Sequence, residues 1–64
     1  MSSVHEYHGK EIIIVKMPLG ETTADGPFYA KVDGHNIGIN NRTHWDTEAA
    51  TKLAAETYIN GGYR

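Results

Sequence analysis

A chain of 64 residues with no cysteine and a net charge of −2 has room for one small domain, which we predict to extend over residues 1–64. Without cysteine, neither a disulfide nor a thiolate metal site can reinforce its small core. The slightly acidic balance is not typical of a general polyanion binder. No apolar segment of signal-peptide or membrane-spanning length follows Met1, so we expect a cytoplasmic protein without a membrane partner.

The first 27 residues predict one strand followed by a long loop. Residues 1–6 are polar, and we expect them to be disordered, as chain ends without an anchor usually are. Residues 10–17 (KEIIIVKM) are rich in β-branched side chains and predict a strand, which Pro18 ends because proline cannot donate to a ladder. Residues 19–27 (LGETTADGP) have the composition of a loop.

Residues 28–39 (FYAKVDGHNIGI) predict a β-hairpin around which the rest of the chain is organised. Asp33 and Gly34 are placed at its turn because both residues tolerate a positive φ. A two-residue turn would place Phe28 opposite Ile39. A four-residue turn would shift the partners and leave the same side chains on the apolar face.

The segment after Trp45 predicts a helix over residues 49–60. Asp46 or Thr47 can cap its first N–H groups, and the two glycines at 61–62 are typical of a helix end. We interpret Trp45 as a buried aromatic that packs the start of the helix on the sheet. The predicted apolar face of the helix consists of Ala50, Leu53, Ala54, Thr57 and Tyr58.

This order of elements predicts an α+β fold, a three-stranded antiparallel sheet with one C-terminal helix packed on one face. The first strand is apolar on both faces, and a single helix covers only one of them. The sequence leaves open whether the helix meets Ile12 and Ile14 or meets Ile13, Val15 and Met17. The other side meets a partner or lies under the long loop, and we favour a partner, most simply a second copy of the chain.

The sequence shows no pattern of side chains typical of a catalytic, metal or cofactor site. The only serines, Ser2 and Ser3, lie in the segment expected to be disordered, and no base is placed beside a threonine. Four histidines are present, but no cysteine helps them to form a zinc site. We therefore predict a protein that is not an enzyme and that holds no metal and no cofactor.

We predict an interaction module that forms a homodimer, or binds another protein, through the sheet face that the helix leaves uncovered. The predicted interaction face consists of Ile13, Val15, Met17, Tyr29 and Lys31. The alternative is weak binding of nucleic acid by the same sheet face, since strands can present cations to phosphates. The cations of that alternative are Lys10, Lys16, Lys31 and Arg42.

The second half of the chain resembles two families of small domains. Three segments carry the resemblance: Phe28-Tyr29-Ala30-Lys31-Val32, Ile37-Gly38-Ile39 and Trp45-Asp46-Thr47-Glu48-Ala49-Ala50. They are similar in outline to the DNA-binding domain of plant ethylene-response factors and to the N-terminal domain of some integrases. They also resemble the HicB type of antitoxin. The resemblance implies a small bacterial protein with a three-stranded sheet and a helix, although the arginine-rich sheet face of the first family is missing here.

Overall fold

The computed structural model describes residues 2–21 and 23–61. Within them, four strands form one antiparallel sheet in the order β1-β2-β3-β4, and one α-helix, α1, packs on β2 and β3. The predicted α+β class, with an antiparallel sheet and a C-terminal helix, is therefore confirmed, and a fourth strand is added. The elements are β1 (Ser2–Tyr7), β2 (Lys10–Lys16), a 3-10 helix (Leu19–Glu21), β3 (Phe28–Val32), β4 (His35–Asn36) and α1 (Glu48–Ile59).

The added strand comes from the segment that we expected to be disordered. Ser2–Tyr7 pairs with Lys10–Lys16 along its whole length, and Met1 lies outside the described residues. His8 and Gly9 connect the two strands with φ values of +52° and +76°, the left-handed pair that a two-residue hairpin turn needs. This strand was missed because a single β-branched residue gives it little propensity of its own, and its pairing with β2 supplies the rest.

The hairpin of β3 and β4 has the predicted two-residue turn. Asp33 and Gly34 have φ values of +50° and +84°, and Val32 lies opposite His35. The turn is also tied to β2. The Asp33 N–H donates to the Glu11 carbonyl at 2.9 Å, and the Asp33 Oδ1 accepts from the Glu11 N–H at 3.1 Å.

The end of this hairpin differs from the prediction, because Phe28 pairs with Trp45 and not with Ile39. The Phe28 N–H donates to the Trp45 carbonyl at 3.1 Å, and the Trp45 N–H donates back at 2.8 Å. Ile39 instead begins a tight turn over Asn40 and Asn41, whose φ values are +54° and +65°. Asparagine tolerates this conformation better than most residues, so the chain turns away from the hairpin and brings Trp45 to β3.

The core lies between the sheet and α1, and side-chain alternation along β2 decides which residues enter it. Ile12 is 0% and Ile14 is 2% exposed, which settles the open alternative in favour of these two. Trp45 is 9% exposed, so its predicted structural role is confirmed. The buried apolar side chains are Ile12, Ile14, Ala30, Val32, Ile37, Trp45, Ala54 and Ala55.

Capping residues bound α1 as the sequence predicts. Thr47 is the N-cap, and its Oγ1 accepts a hydrogen bond from the Ala50 N–H at 3.1 Å. Asn60 is the C-cap, and Gly61 follows it with a φ of +82°, a conformation that glycine adopts without steric cost. Gly62 lies outside the described residues.

The buried face of α1 is rotated from the predicted one. Thr51, Ala54 and Ala55 are buried, whereas Leu53 and Thr57, which we expected to face the sheet, are exposed. Alanines occur on several sides of this helix, so the period of its apolar residues does not determine its orientation. The small side chains face the sheet because they let the helix backbone lie close to it.

We expect Gly26→Ala to lower the free energy of unfolding by about 2–4 kcal/mol. A Cβ at Gly26 would lie 2.2 Å from the Trp45 carbonyl oxygen, and the φ of +130° at this position is unfavourable for alanine. Gly20→Ala is the matched control, because among the described residues no atom beyond its two chain neighbours lies within 4 Å of its added Cβ. Urea unfolding of both variants tests the prediction, and equal losses would contradict it.

We expect Thr47→Ala to lower the free energy of unfolding by about 1 kcal/mol. The substitution removes the hydroxyl that accepts the Ala50 N–H at the start of α1. Thr57→Ala serves as the control, because its exposed hydroxyl donates to the Leu53 carbonyl within the same helix and does not cap the helix start. Thermal unfolding by circular dichroism compares the two. A larger loss in the control would show that the cap is not what stabilises the helix start.

Candidate interaction face

The sheet face opposite α1, which we call the outer face, carries every residue of the predicted interaction face. Side chains alternate along each strand, so the residues between those that enter the core point to this side. Ile13, Val15, Met17, Tyr29 and Lys31 are all partly exposed there. The outer face consists of Ser2, Val4, Glu6, Glu11, Ile13, Val15, Met17, Tyr29, Lys31 and Asn36.

The ladder registers join the apolar members of the outer face into a continuous strip. Ile13 lies between Val4 on β1 and Lys31 on β3. Val15, the next outer residue of β2, lies opposite Tyr29. Val4 is 63% exposed and extends the strip to the edge of the sheet. Val4 is absent from the predicted interaction face because no strand was expected at residues 1–6, where it is an isolated apolar residue among polar ones.

A shallow depression lies at the end of the outer face next to the connection between β4 and α1. Its volume is about 300 Å³, and Met17, Tyr29, Lys31 and His44 are among its lining residues. The rings of Tyr29 and His44 lie 5.5 Å apart between centroids. This depression is open to solvent, so it suits a side chain of a protein partner better than an enclosed small molecule.

The hairpin end of the outer face is acidic. Glu6 on β1 lies directly opposite Glu11 on β2, and like charges in this position destabilise a pair of strands. Lys31 lies on the neighbouring strand, opposite Ile13 and one outer position away from Glu11. The apolar strip is therefore bordered by negative charge at one end and by a cation on the β3 side.

The lysines of β2 do not belong to the outer face. Lys10 and Lys16 share the parity of Ile12 and Ile14, so their side chains leave the sheet on the helix side, at the two ends of the strand. The Lys10 Nζ lies 3.7 Å from a carboxylate oxygen in the β3–β4 turn. The Lys16 Nζ lies 6.0 Å from the centre of the Phe28 ring.

Arg42 is also separate from Lys31. Its Nε donates to the His44 carbonyl at 2.9 Å, and its Nη2 donates to the Asp25 carbonyl at 3.2 Å. The guanidinium thus ties two loops together. The expectation that Lys10, Lys16, Lys31 and Arg42 share one sheet face does not hold, because Lys31 is the only one of the four on the outer face.

A cluster of three polar side chains joins β1 to the start of α1 on the helix side of the sheet. The Ser3 Oγ donates to the Glu48 Oε2, and the His5 Nε2 lies 3.2 Å from the Ser3 Oγ and 3.7 Å from the Glu48 Oε2. In a Ser-His-acid triad, the serine and the acid contact different ring nitrogens. Here both groups approach the same nitrogen, so the cluster links two elements and does not form a proton relay.

The described residues contain no group of three or more histidine, aspartate or glutamate side chains arranged to hold a metal ion. Within the same residues, no helix has the length and apolar content needed to cross a bilayer. No family model, curated protein or solved structure matches the chain. The resemblance to ethylene-response-factor, integrase and HicB-type domains therefore stays a prediction.

We expect a double-mutant cycle of His5→Ala and Glu48→Ala to give a coupling energy below about 1 kcal/mol, because exposed ion pairs are screened by water. The two side chains are 31% and 51% exposed. Urea unfolding at low and high salt measures the coupling, which should decrease as salt is added. A coupling that is large and independent of salt would contradict a solvent-screened contact.

Proposed function

We propose that the protein is a non-enzymatic interaction module of the cytoplasm that forms a homodimer through its outer face. One observation carries the proposal: the continuous apolar strip of Val4, Ile13, Val15 and Tyr29 lies on the sheet face opposite α1. A sheet that is apolar on both faces is typical of one that packs between two layers.

Burial of the apolar strip between two copies would stabilise a chain whose own core is small. Each square ångström of apolar surface removed from water contributes roughly 25 cal/mol. In a twofold contact the same patch is buried on both copies, so every side chain of the strip contributes twice. A domain of this size buries only about 60% of the surface of its unfolded chain, so association adds a large share to its core.

The charges bordering the strip favour a second copy as the partner. A twofold axis parallel to the strands, between β2 and β3, places β3 of each copy over β2 of the other. Lys31 of one copy then lies close to Glu11 of the other, because Lys31 is opposite Ile13 and Glu11 is the preceding outer residue of β2. The same axis brings the acidic ends of the two copies together, and the two Lys31 cations beside them offset part of the repulsion among the glutamates.

Val15→Glu should abolish association through the outer face and leave the protein folded. The new carboxylate would be buried without a partner at the centre of the contact, which costs several kcal/mol per ion. Leu53→Glu is the matched control, since it places the same charge on an apolar side chain that is 63% exposed on α1. Light scattering over a wide range of protein concentration gives the mass, and circular dichroism reports whether each variant is folded.

The proposal also predicts how the wild-type mass responds to salt. An assembly held by a mainly apolar contact should keep the same mass at low and high salt, whereas binding to nucleic acid weakens steeply as salt rises. A wild-type protein that is monomeric at every concentration, or a Val15→Glu variant with the same mass as the wild type, would contradict the proposed contact.

A further inference from the structure

We propose that the edge of β1 is a second contact between copies, in which two β1 strands pair antiparallel about Val4 and join the two sheets into one. This contact does not rest on the outer-face dimer, because it uses the backbone of the edge strand and not the side chains of the outer face. The proposal follows from the direction of the peptide groups of β1 and from the sequence of that strand.

The hydrogen bonds of β2 establish which peptide groups of β1 point away from the sheet. The Glu11 carbonyl accepts from the Asp33 N–H, so the peptide groups of Glu11 point toward β3 and not toward β1. Glu6, which lies opposite Glu11, therefore has its own N–H and C=O pointing out of the sheet. The direction of these groups alternates from one residue to the next along a strand. The N–H and C=O groups of Ser2 and Val4 therefore also point out of the sheet edge.

The outward-pointing backbone groups of Ser2, Val4 and Glu6 can pair with the same groups of a second copy. In antiparallel pairing about Val4, Val4 lies opposite Val4, and Ser2 lies opposite Glu6 at both ends. All three residues then form hydrogen-bonded pairs, with two bonds in each pair. A shift of two residues in either direction loses one of the three pairs, so this register makes the most hydrogen bonds.

The side chains of β1 also fit this register. Glu6 meets the neutral Ser2 of the other copy, so no like charges lie directly opposite each other. On the helix side of the sheet, Ser3 lies opposite His5, and these two groups already contact each other within one chain at 3.2 Å. On the outer side, the two Val4 side chains meet and connect the apolar strips of the two copies.

The opposite edge of the sheet offers no comparable surface. β4 contains only His35–Asn36, and the chain then leaves the sheet for the turn at Asn40 and Asn41. β1 has six residues, and it carries neither the proline nor the lysine that commonly block an edge strand. Among the described strands, β1 is therefore the edge that can accept another strand.

Single cysteines test the register, because the chain has no cysteine of its own. Directly opposite residues of a hydrogen-bonded pair have Cα atoms about 5.5 Å apart, which is within the range of disulfides. Val4→Cys should therefore form a disulfide-linked dimer by itself. Ser2→Cys and Glu6→Cys should link to each other when the two variants are mixed. Neither of them should link to itself, because a separation of four residues along the strand is about 13 Å.

The measurement is the rate of disulfide formation in dilute protein under mild oxidation. Val4→Cys, and the mixture of Ser2→Cys with Glu6→Cys, should react at least about tenfold faster than Ser2→Cys or Glu6→Cys alone, because pairing raises the effective concentration of the thiols. Equal rates for the mixture and for the separate variants would overturn the proposed pairing.

A proline variant tests the role of the outward N–H groups while the hairpin stays intact. Val4→Pro removes an N–H that β1 does not donate to β2, and edge strands tolerate proline at such positions. When it is added to the Ser2→Cys and Glu6→Cys partners, the rate of their mixture should fall to that of the single variants. An unchanged rate in a folded protein would overturn the proposal.

Val15→Glu separates this contact from the outer-face dimer, and Ile13→Cys is a negative control for the edge. Edge pairing alone places the two copies of Ile13 three strand spacings apart, about 14 Å, so Ile13→Cys should not link through the edge. Val15→Glu disrupts the outer face and should leave the Val4→Cys disulfide unchanged. Loss of that disulfide in the Val15→Glu background would contradict an independent edge contact. Because edge pairing survives Val15→Glu, the outer-face dimer is judged by comparing the mass of Val4→Pro with that of the double variant Val4→Pro/Val15→Glu, of which only the double variant should be monomeric.

Discussion

The two backbone hydrogen bonds between Phe28 and Trp45 determine how the helix meets the sheet. They hold the chain against the beginning of β3, with the indole ring in the core, two residues before the N-cap Thr47. The helix can begin nowhere else without breaking this pairing or losing the cap. Gly26 makes the arrangement possible, because only a residue without a Cβ fits against the Trp45 carbonyl.

The position of the helix in turn divides the two faces of the sheet. Thr51, Ala54 and Ala55 bring α1 close to Ile12 and Ile14, and these side chains form a thin buried layer. A helix this close to β2 and β3 buries the side chains of Ile12 and Ile14 almost completely. It leaves the other set of apolar side chains on the outer face, which no helix or strand of the described residues covers.

Local chemistry accounts for the parts of the fold that could be predicted from the sequence. The Asp33-Gly34 turn, the cap at Thr47 and the helix end at Gly61 each depend on the conformational preference of a few adjacent residues. The apolar content of both faces of β2 was also visible, and it led to the candidate interaction face.

The features that the sequence did not reveal depend on partners distant in the chain. β1 is a strand because β2 pairs with it, and Phe28 meets Trp45 because an asparagine turn redirects the intervening segment. The orientation of α1 about its own axis, which exposes Leu53, is determined by the space between the helix and the sheet. The spacing of apolar residues along the helix does not determine it. To predict that Lys10 and Lys16 lie on the opposite sheet face from Lys31, one must know which face of β2 enters the core, and the sequence left this open.

The order of the strands has a consequence for how the protein folds. Each strand pairs with the next one in the chain, and the β1–β2 and β3–β4 connections are two-residue turns with left-handed φ values. The longer segment between β2 and β3 is closed at its ends by a hydrogen bond from the Met17 N–H to the Pro27 carbonyl. The chain therefore closes mainly short loops, which cost little entropy. A sheet of this kind can grow from one hairpin to the next, and its predominantly local pairing favours rapid folding.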